Sequence, residues 1–531
     1  SVIGRTFDAT LLHAVWETSP DDLQQGLEEL QQAGLTSREG EGELTCYFFR
    51  NNLLRDTAYD TLLRDSRVDL HRRLASVIEK DFPDLRSRQP ERVARHWAAS
   101  GNAVAAIECW LDALRLSFER SATTEALAHA DSAETELVNV ADTTQREQLE
   151  LATALLKGPA LMNAHGSGSQ TVAETYRKAL TLAERVGRTE DRFTATWGLW
   201  LHHQIVGNFE LARASADNIV KIGRDLSDST YLLQAHHSAW TTEGLVGNHE
   251  KTQLHTEAGL ALYDIGKHRQ SMVMYGDHDA GVCGYVHTNL TAWCQGYFDR
   301  AEEATSRAVE LARELKHPPS LIMAQTHTAM FCQFLGDVEQ VLEISEQILE
   351  SSATYGLASW GLNAEILIGW AKAKSGDESG FEQMQTAIDR REASASRLRQ
   401  PYFQAIYAQQ LVNAGRPEEA GKVIERGVGV LNLTGERRWE PLIQSVKGDV
   451  LSANGDQADT ERQYQHALAI SREQRALGFE LGTTCSLARL WIRQQRSEEA
   501  RGLLSDIYGR FNEGFETRPL CETRALLDSF S

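Results

Sequence analysis

The amino-acid sequence predicts a mainly α protein: a small N-terminal domain of three helices and a short hairpin, then a long solenoid of helical hairpins. Three observations carry this. Turn signals recur at a nearly constant step over the last two thirds of the chain, alternating Val/Ile/Thr runs are missing from that region, and the pattern changes near residue 90.

In the first 90 residues, Phe7–Thr18, Asp21–Ala33 and Asn51–Arg64 have helical patterning, while Leu35–Phe49 holds Gly40 and Gly42 between two short extended runs. Three helices and a small hairpin predict a winged-helix-like domain over 1–90. Residues 91–531 are then the solenoid.

The solenoid turns fall at Gly207-Asn208, Gly247-Asn248, Gly296-Tyr297, Gly336-Asp337, Gly376-Asp377, Gly415-Arg416, Gly455-Asp456 and Gln495-Arg496, separated by 40, 49, 40, 40, 39, 40 and 40 residues. Two helices of about 15 residues with two short connections fill such a step. Five residues after each turn stand Ala212, Thr252, Ala301, Val341, Phe381, Ala420, Thr460 and Ala500. Twelve residues after stand Ile219, Gly259, Ala308, Ile348, Ile388, Gly427, Ala467 and Ile507. Seven residues are two helical turns, so both sets share one face, and small side chains there admit a neighbouring helix closely. Asp299 with Glu302 and Asp337 with Gln340 fit capping boxes, and Pro417 fits a first helical position. The pattern extends back to Gly166-Ser167-Gly168 and to helices around Gly101 and Ser121.

Composition narrows the function. The 531 residues carry 54 Lys+Arg against 75 Asp+Glu, a net charge of −21, which disfavours coating of nucleic acid or an anionic membrane. The most apolar stretch, Tyr355 to Trp370, carries Asn363 and Glu365, so no membrane span is expected. Seven scattered cysteines without a C-x-x-C imply neither a disulfide framework nor a structural zinc site, and suit a reducing cytoplasm. Without G-x-x-x-x-G-K-[ST] or a metal-binding aspartate pair, no catalytic role and no cofactor are expected for this chain. The opening Ser-Val-Ile-Gly-Arg, with no initiator Met and no leader pattern, suggests a segment cut from a longer protein.

Four stretches, in order, carry a resemblance: Ser1–Asp8; Phe49–Leu63 followed by Leu70-His-Arg-Arg73; Tyr275-Gly-Asp-His-Asp-Ala-Gly-Val282; and Tyr508–Leu527. Together they resemble the region C-terminal to the ATPase module in bacterial class III adenylate cyclase proteins with a STAND-type ATPase and tetratricopeptide-like (TPR-like) repeats. The resemblance runs nearly end to end. It departs at Asn51-Asn52, where the family usually has His-Ala, and at Ala280, where Pro is frequent. It implies a cyclase domain and a P-loop ATPase preceding this chain, and a regulatory, protein-interaction role for the chain itself. A rival is the sensor region of a STAND-type ATPase transcription regulator. Such a protein would normally end in a DNA-binding helix-turn-helix, whereas no further basic helix follows Tyr508 before Ser531.

The candidate partner or ligand surface is Tyr275, Asp277, His278, Asp279, His287 and His327. It rests on the one repeat that is nine residues too long and on two histidines 40 residues apart in register. First helices usually line the concave face of a solenoid, where a protein partner or small signalling ligand would bind, and Trp197, Trp200, Trp240, Trp293, Trp360 and Trp370 fall on or near them. Asp277, His278, Asp279, Cys283 and His287 include metal-ligand types at a spacing that is not diagnostic. Asp277 or Asp279 equally suits a helix cap.

Between Arg50 and Arg95, eleven basic residues interleave with eight acidic ones. Interleaved carboxylates describe an ion-paired face, suited to docking on the ATPase module, better than a phosphate track. No nucleic acid is expected as a partner.

Overall fold

The computed structural model describes all residues except 17, 18, 40–45, 121, 395 and 531, so Gly40, Gly42 and Ser121 lie outside the described residues. The chain forms two compact units. One comprises Ser1–Ala164 with Lys178–Arg188, the other His165–Arg177 with Thr189–Ser531.

The first unit opens with β1 (Thr6–Asp8), helices Ala9–Val15 and Pro20–Gln32, then β2 (Thr36–Glu39) and β3 (Cys46–Phe49). The three strands form an antiparallel sheet in the order β1-β3-β2, with Phe7 opposite Tyr47 and Ser37 opposite Phe48. The helix expected from Phe7 thus begins at Ala9, and Phe7 belongs to a third strand. The reason is local: the Asp8 carboxylate accepts from Thr10 N and Leu11 N and caps the helix, while alternation buries Phe7 with Tyr47, Phe49 and Leu27. Asn51 caps the helix Asn52–Asp60 through Leu54 N at 2.9 Å, a role open to an amide at a place where the resembled family usually has His. Helices Arg64–Asp81, Pro90–Ala99 and Ala103–Glu119 then close over Leu74, Ile78, Val93, Trp97 and Ile107.

The basic stretch is ion-paired. Arg55 pairs with Asp56, Arg72 with Asp69 at 2.8 Å, Arg67 with Asp60 at 3.6 Å, and Arg86 with Asp112 at 2.6 Å.

The second unit is a TPR-like run of eight helical hairpins: Thr189–Ile205 with Phe209–Leu226, Ser229–Leu245 with His249–Leu262, Ala280–Gln295 with Phe298–Leu315, Pro318–Leu335 with Val338–Tyr355, Ala358–Lys374 with Ser379–Glu392, Gln400–Asn413 with Pro417–Thr434, Glu440–Ala453 with Gln457–Glu473, and Leu477–Arg493 with Ser497–Tyr508. Each of the eight turns from Gly207-Asn208 to Gln495-Arg496 lies inside one of these hairpins. Ala301 and Ala420 are fully buried, as are Ala212, Val341, Ile219 and Ile348, so the assigned repeat phase is the packing face. The turn glycines hold φ between 72° and 89°, a left-handed conformation, and in the last hairpin Gln495 takes that place at φ 64°.

Of the expected capping boxes, the one at Asp337 is half made: Asp337 accepts from Gln340 N at 3.1 Å and from Gln340 Nε2 at 3.0 Å, while its own N–H donates to Cys332 O at 2.9 Å rather than to the Gln340 side chain. Asp299 does not. Tyr297 is the N-cap there, and Asp299, inside the first turn, instead accepts from Gly514 N at 3.3 Å.

Within this unit the hairpins curl back on themselves. Arg397 N donates to Ile205 O at 2.9 Å, Arg438 Nε to Gly244 O at 2.7 Å, and Arg518 NH1 to Gly336 O at 3.1 Å. Early turns therefore meet segments some 180–195 residues later, and the inner faces of the first helices pack together. Trp293 stacks on Phe334 at 4.1 Å and meets Phe479 edge-on at 4.8 Å.

Candidate functional site

The nine extra residues lie between the second and third hairpins. After the short helix Ile265–His268 and a 3-10 turn over Arg269–Val273, the chain passes through Tyr275–Asp279 into the helix Ala280–Gln295. Asp279 is the N-cap of that helix, with Oδ1 accepting from Val282 N at 2.9 Å and Oδ2 from the Tyr263 hydroxyl at 3.0 Å. Burial pushes its carboxyl pKa up. Tyr275 is buried edge-on against Trp197 at 5.1 Å. Asp277 has φ 53°, and its Oδ1 lies 3.5 Å from His317 Nε2.

The structure places the six candidate residues at or beneath this turn, but not on an open groove. Tyr275, Asp279, His287 and His327 are all buried. The open concave lining expected from the sequence is covered because the solenoid closes over its own inner face. Five of the six tryptophans on the first helices are buried for the same reason, Trp360 being partly exposed.

Around His327 the buried polar groups are ordered by simple donor logic. The Arg399 guanidinium only donates, so His327 Nε2 accepts from it at 3.1 Å, and its Nδ1–H then donates to Met323 O at 2.9 Å. Burial and the neighbouring Arg399 hold His327 neutral, with its pKa lowered to about 3. His287 is also held neutral, by burial first and then by Arg438 and His327. Imidazolium recognition by these two rings is disfavoured in the folded chain.

The nearby carboxylate of Glu436, fully buried, accepts from Arg399 N at 2.9 Å and from Trp439 Nε1 at 2.7 Å. Arg391 donates to Asn363 Oδ1 at 2.7 Å and to Leu398 O. Arg391, Arg399, Arg438 and Glu436 were not singled out from the sequence. Nothing in the local sequence distinguishes them from surface charges; tertiary contacts bury Arg391, Arg438 and Glu436 and leave Arg399 half-buried.

A second feature is a cavity of about 360 Å³ on the inner face of the later hairpins, lined among others by Gln333, Gln409, Asn413, Asp449, Phe479 and Arg489. Asp449 accepts from the Tyr464 hydroxyl at 2.5 Å, and burial pushes its pKa up to about 6. Amides, a carboxyl and a guanidinium around an aromatic wall suit a peptide or a small polar ligand. In the first unit a wider cleft, about 1080 Å³, is lined by Arg5, Arg55, Asp56, Tyr59, Arg92 and His96 among others.

Among the described residues, the side chains grouped so that they could hold a metal ion are His237, His278 and Cys283, whose ligand atoms lie within 4.8 Å of one another. Two of these belong to the set noted in the sequence, whereas Asp279 is spent on capping. No described helix is long and apolar enough to cross a membrane.

No protein-family model matches the chain. It is 25% identical over 473 residues to an uncharacterized protein of Rhizobium meliloti (strain 1021), covering 87% of this chain and 46% of that protein, so the chain spans about half the length of this relative. Among solved structures it is similar to a Signal Transduction ATPase with Numerous Domains (STAND) protein with a tetratricopeptide repeat sensor from Pyrococcus horikoshii, with a TM-score of 0.48, 12% identity, and coverage of 84% of this chain and 62% of that one. It is also similar to a Rap protein complexed with Competence and Sporulation Factor, with a TM-score of 0.46, 11% identity, and coverage of 80% and 99%.

Proposed function

We propose that this chain is the non-catalytic regulatory and interaction segment of a multidomain bacterial adenylate cyclase that also carries a STAND-type ATPase module. In this reading residues 91–531 receive a protein or small-molecule signal on the inner face of the hairpins. Residues 1–90, as a winged-helix-like domain, pass it to the ATPase module. The cytoplasm is the proposed compartment, with neither nucleic acid nor membrane as a partner.

The observation that carries the receiving role is the polar cavity bounded by Gln333, Gln409, Asn413, Asp449 and Arg489. These side chains gather on the inner face of helices whose packing is already satisfied by small and apolar residues. Support for the coupling role comes from the antiparallel pair β2 and β3, which follows two helices and packs beside β1 in the order β1-β3-β2, and from the ion-paired face over Arg55–Arg86. The cyclase context rests on the four sequence stretches.

Two experiments test this. Incubated with ATP and Mg²⁺ or Mn²⁺, the purified chain is expected to form neither ADP nor cyclic AMP; turnover that survives repurification overturns the non-catalytic reading. Reading the gene upstream of Ser1 is expected to reveal a cyclase catalytic domain followed by a P-loop ATPase. An upstream ATPase without a cyclase, together with a downstream helix-turn-helix, would instead identify a transcription regulator.

A further inference from the structure

Buried His237 and half-buried His278 face each other in the second unit, Nε2 to Nε2, at 3.2 Å. In an ordinary histidine pair one nitrogen donates and the other accepts, so the tautomers decide whether such a contact is a bond. Here both tautomers are set from outside. His278 Nδ1 lies 2.8 Å from Gly276 O, a carbonyl that can only accept, so Nδ1 carries the proton.

The His237 side is set by a relay. The Ser271 hydroxyl donates to His268 O at 2.7 Å, leaving its oxygen to accept from Gln234 Nε2 at 3.4 Å. Gln234 therefore turns Oε1 toward His237 Nδ1 at 3.0 Å, and that nitrogen carries the proton. Two bare Nε2 lone pairs then point at each other, which repels unless a cation sits between them. The buried His71–His96 pair, Nδ1 to Nδ1 at 2.9 Å, has no such conflict, because the Tyr59 hydroxyl on His71 Nε2 can donate or accept.

A carbonyl or amide oxygen on Nδ1 with a free Nε2 is the outer-shell arrangement of metal-ligating histidine. A tetrahedral ion with Zn–N bonds of about 2.0 Å sets its two nitrogens about 3.3 Å apart, close to the separation seen. Cys283, one helical turn past the Asp279 cap, brings Sγ within 4.8 Å of both nitrogens. A shift of about 1 Å brings the sulfur to the N···S edge of about 3.6 Å that the same geometry requires.

We propose that His237 Nε2, His278 Nε2 and the Cys283 thiolate bind a zinc-class divalent cation, leaving a fourth position for water. The ion replaces the Cys283 thiol proton, which leaves to solvent. It ties the nine-residue insertion to the helix Ser229–Leu245. The sequence alone left this site undistinguished, since His237 lies 41 residues before His278 in a different hairpin.

The test uses the full chain, stripped of metal by a chelator under reducing conditions and titrated with Co²⁺ and then Zn²⁺. One Co²⁺ per chain is expected, with the visible bands of a tetrahedral ion and a near-ultraviolet thiolate charge-transfer band, both abolished stoichiometrically by Zn²⁺. Cys283→Ser is expected to lose the charge-transfer band and to weaken Zn²⁺ at least a hundredfold. His278→Asn, at a partly exposed turn, is expected to weaken it similarly while keeping the wild-type circular dichroism. Cys521→Ser, which removes the exposed thiol, is expected to change nothing. Failure of the wild type to take up Co²⁺, a spectrum without the thiolate band, or a band lost in Cys521→Ser rather than Cys283→Ser would overturn the proposal. The wild-type spectrum decides even if a variant does not fold.

Discussion

The two helices of the third hairpin differ in a way that explains the molecule. The outer helix, Phe298–Leu315, buries Phe298, Ala301, Ala304, Ala308, Ala312 and Leu315, a single stripe at steps of three and four. Its inner partner, Ala280–Gln295, buries residues all the way round, including Val282, Cys283, Val286, His287, Asn289, Leu290 and Trp293. One face of the outer helix meets water, so its periodicity is written in the sequence. The inner helix lies between its own partner and helices five hairpins later, so no face is marked by charge. Asn289 is accommodated there because its Nδ2 donates to Ala301 O at 3.0 Å and to Thr305 Oγ1 at 2.6 Å.

The contrast is sharpest at the outer stripe. Ala301→Arg or Ala420→Arg forces a long cation into a fully buried contact and is expected to cost at least about 3 kcal/mol. Glu303→Ala, on the exposed face of the same helix, is expected to stay within about 0.5 kcal/mol. Urea midpoints of the three variants measure this, and similar values for Ala301→Arg and Glu303→Ala would break the assigned phase.

The buried histidines make a pH prediction. His249 and His327 are both buried and have folded pKa values lowered to about 3 from 6.5, with burial the main cause. Above 6.5 both states are neutral and stability is full. As pH falls below 6.5 the unfolded chain takes up protons that the folded chain refuses, so stability is lost progressively toward pH 3. Each histidine is expected to cost about 2 kcal/mol by about pH 5. His249→Gln, which cannot charge, is expected to flatten the fall of the urea midpoint between about pH 7 and 5 by that amount. An equal slope in the variant would mean that His249 is reached by water.

The smallest effect tests the turns. Gln495 holds φ 64° where the other seven hairpins place glycine. Gln495→Gly is expected to stabilise by about 0.5–1 kcal/mol, because glycine meets no Cβ penalty there. A lower melting temperature would show that the Gln495 side chain contributes more than its backbone strain costs.

Much of this architecture was legible in advance. The 40-residue step, the small residues at fixed offsets, the Asp337 cap and Pro417 at a helix start are local facts, and local sterics and hydrogen bonding settle them. The long repeat was legible too, as was the capping role of Asp279. A signal for the inner face was also present: Ala280–Gln295 and Pro318–Leu335 contain no Asp, Glu, Lys or Arg, as befits helices covered on both sides.

What the sequence determined by itself is the hairpin, because each hairpin is built from neighbours and its outer face is set by water. Only the tertiary structure decided how far the array curls. That depends on small rotations between hairpins summed over many residues, and on contacts such as Arg438 to Gly244 that span 194 positions. The curl turned an expected open surface into a buried one and set Arg438 against Gly244, while the stacking of adjacent hairpins brought His237 to His278 and Cys283 and enclosed Arg391 and Glu436. The physical reason is range: hydrogen bonding and steric preference act within a few residues and repeat with the sequence, whereas the inner contacts join residues that no local pattern relates.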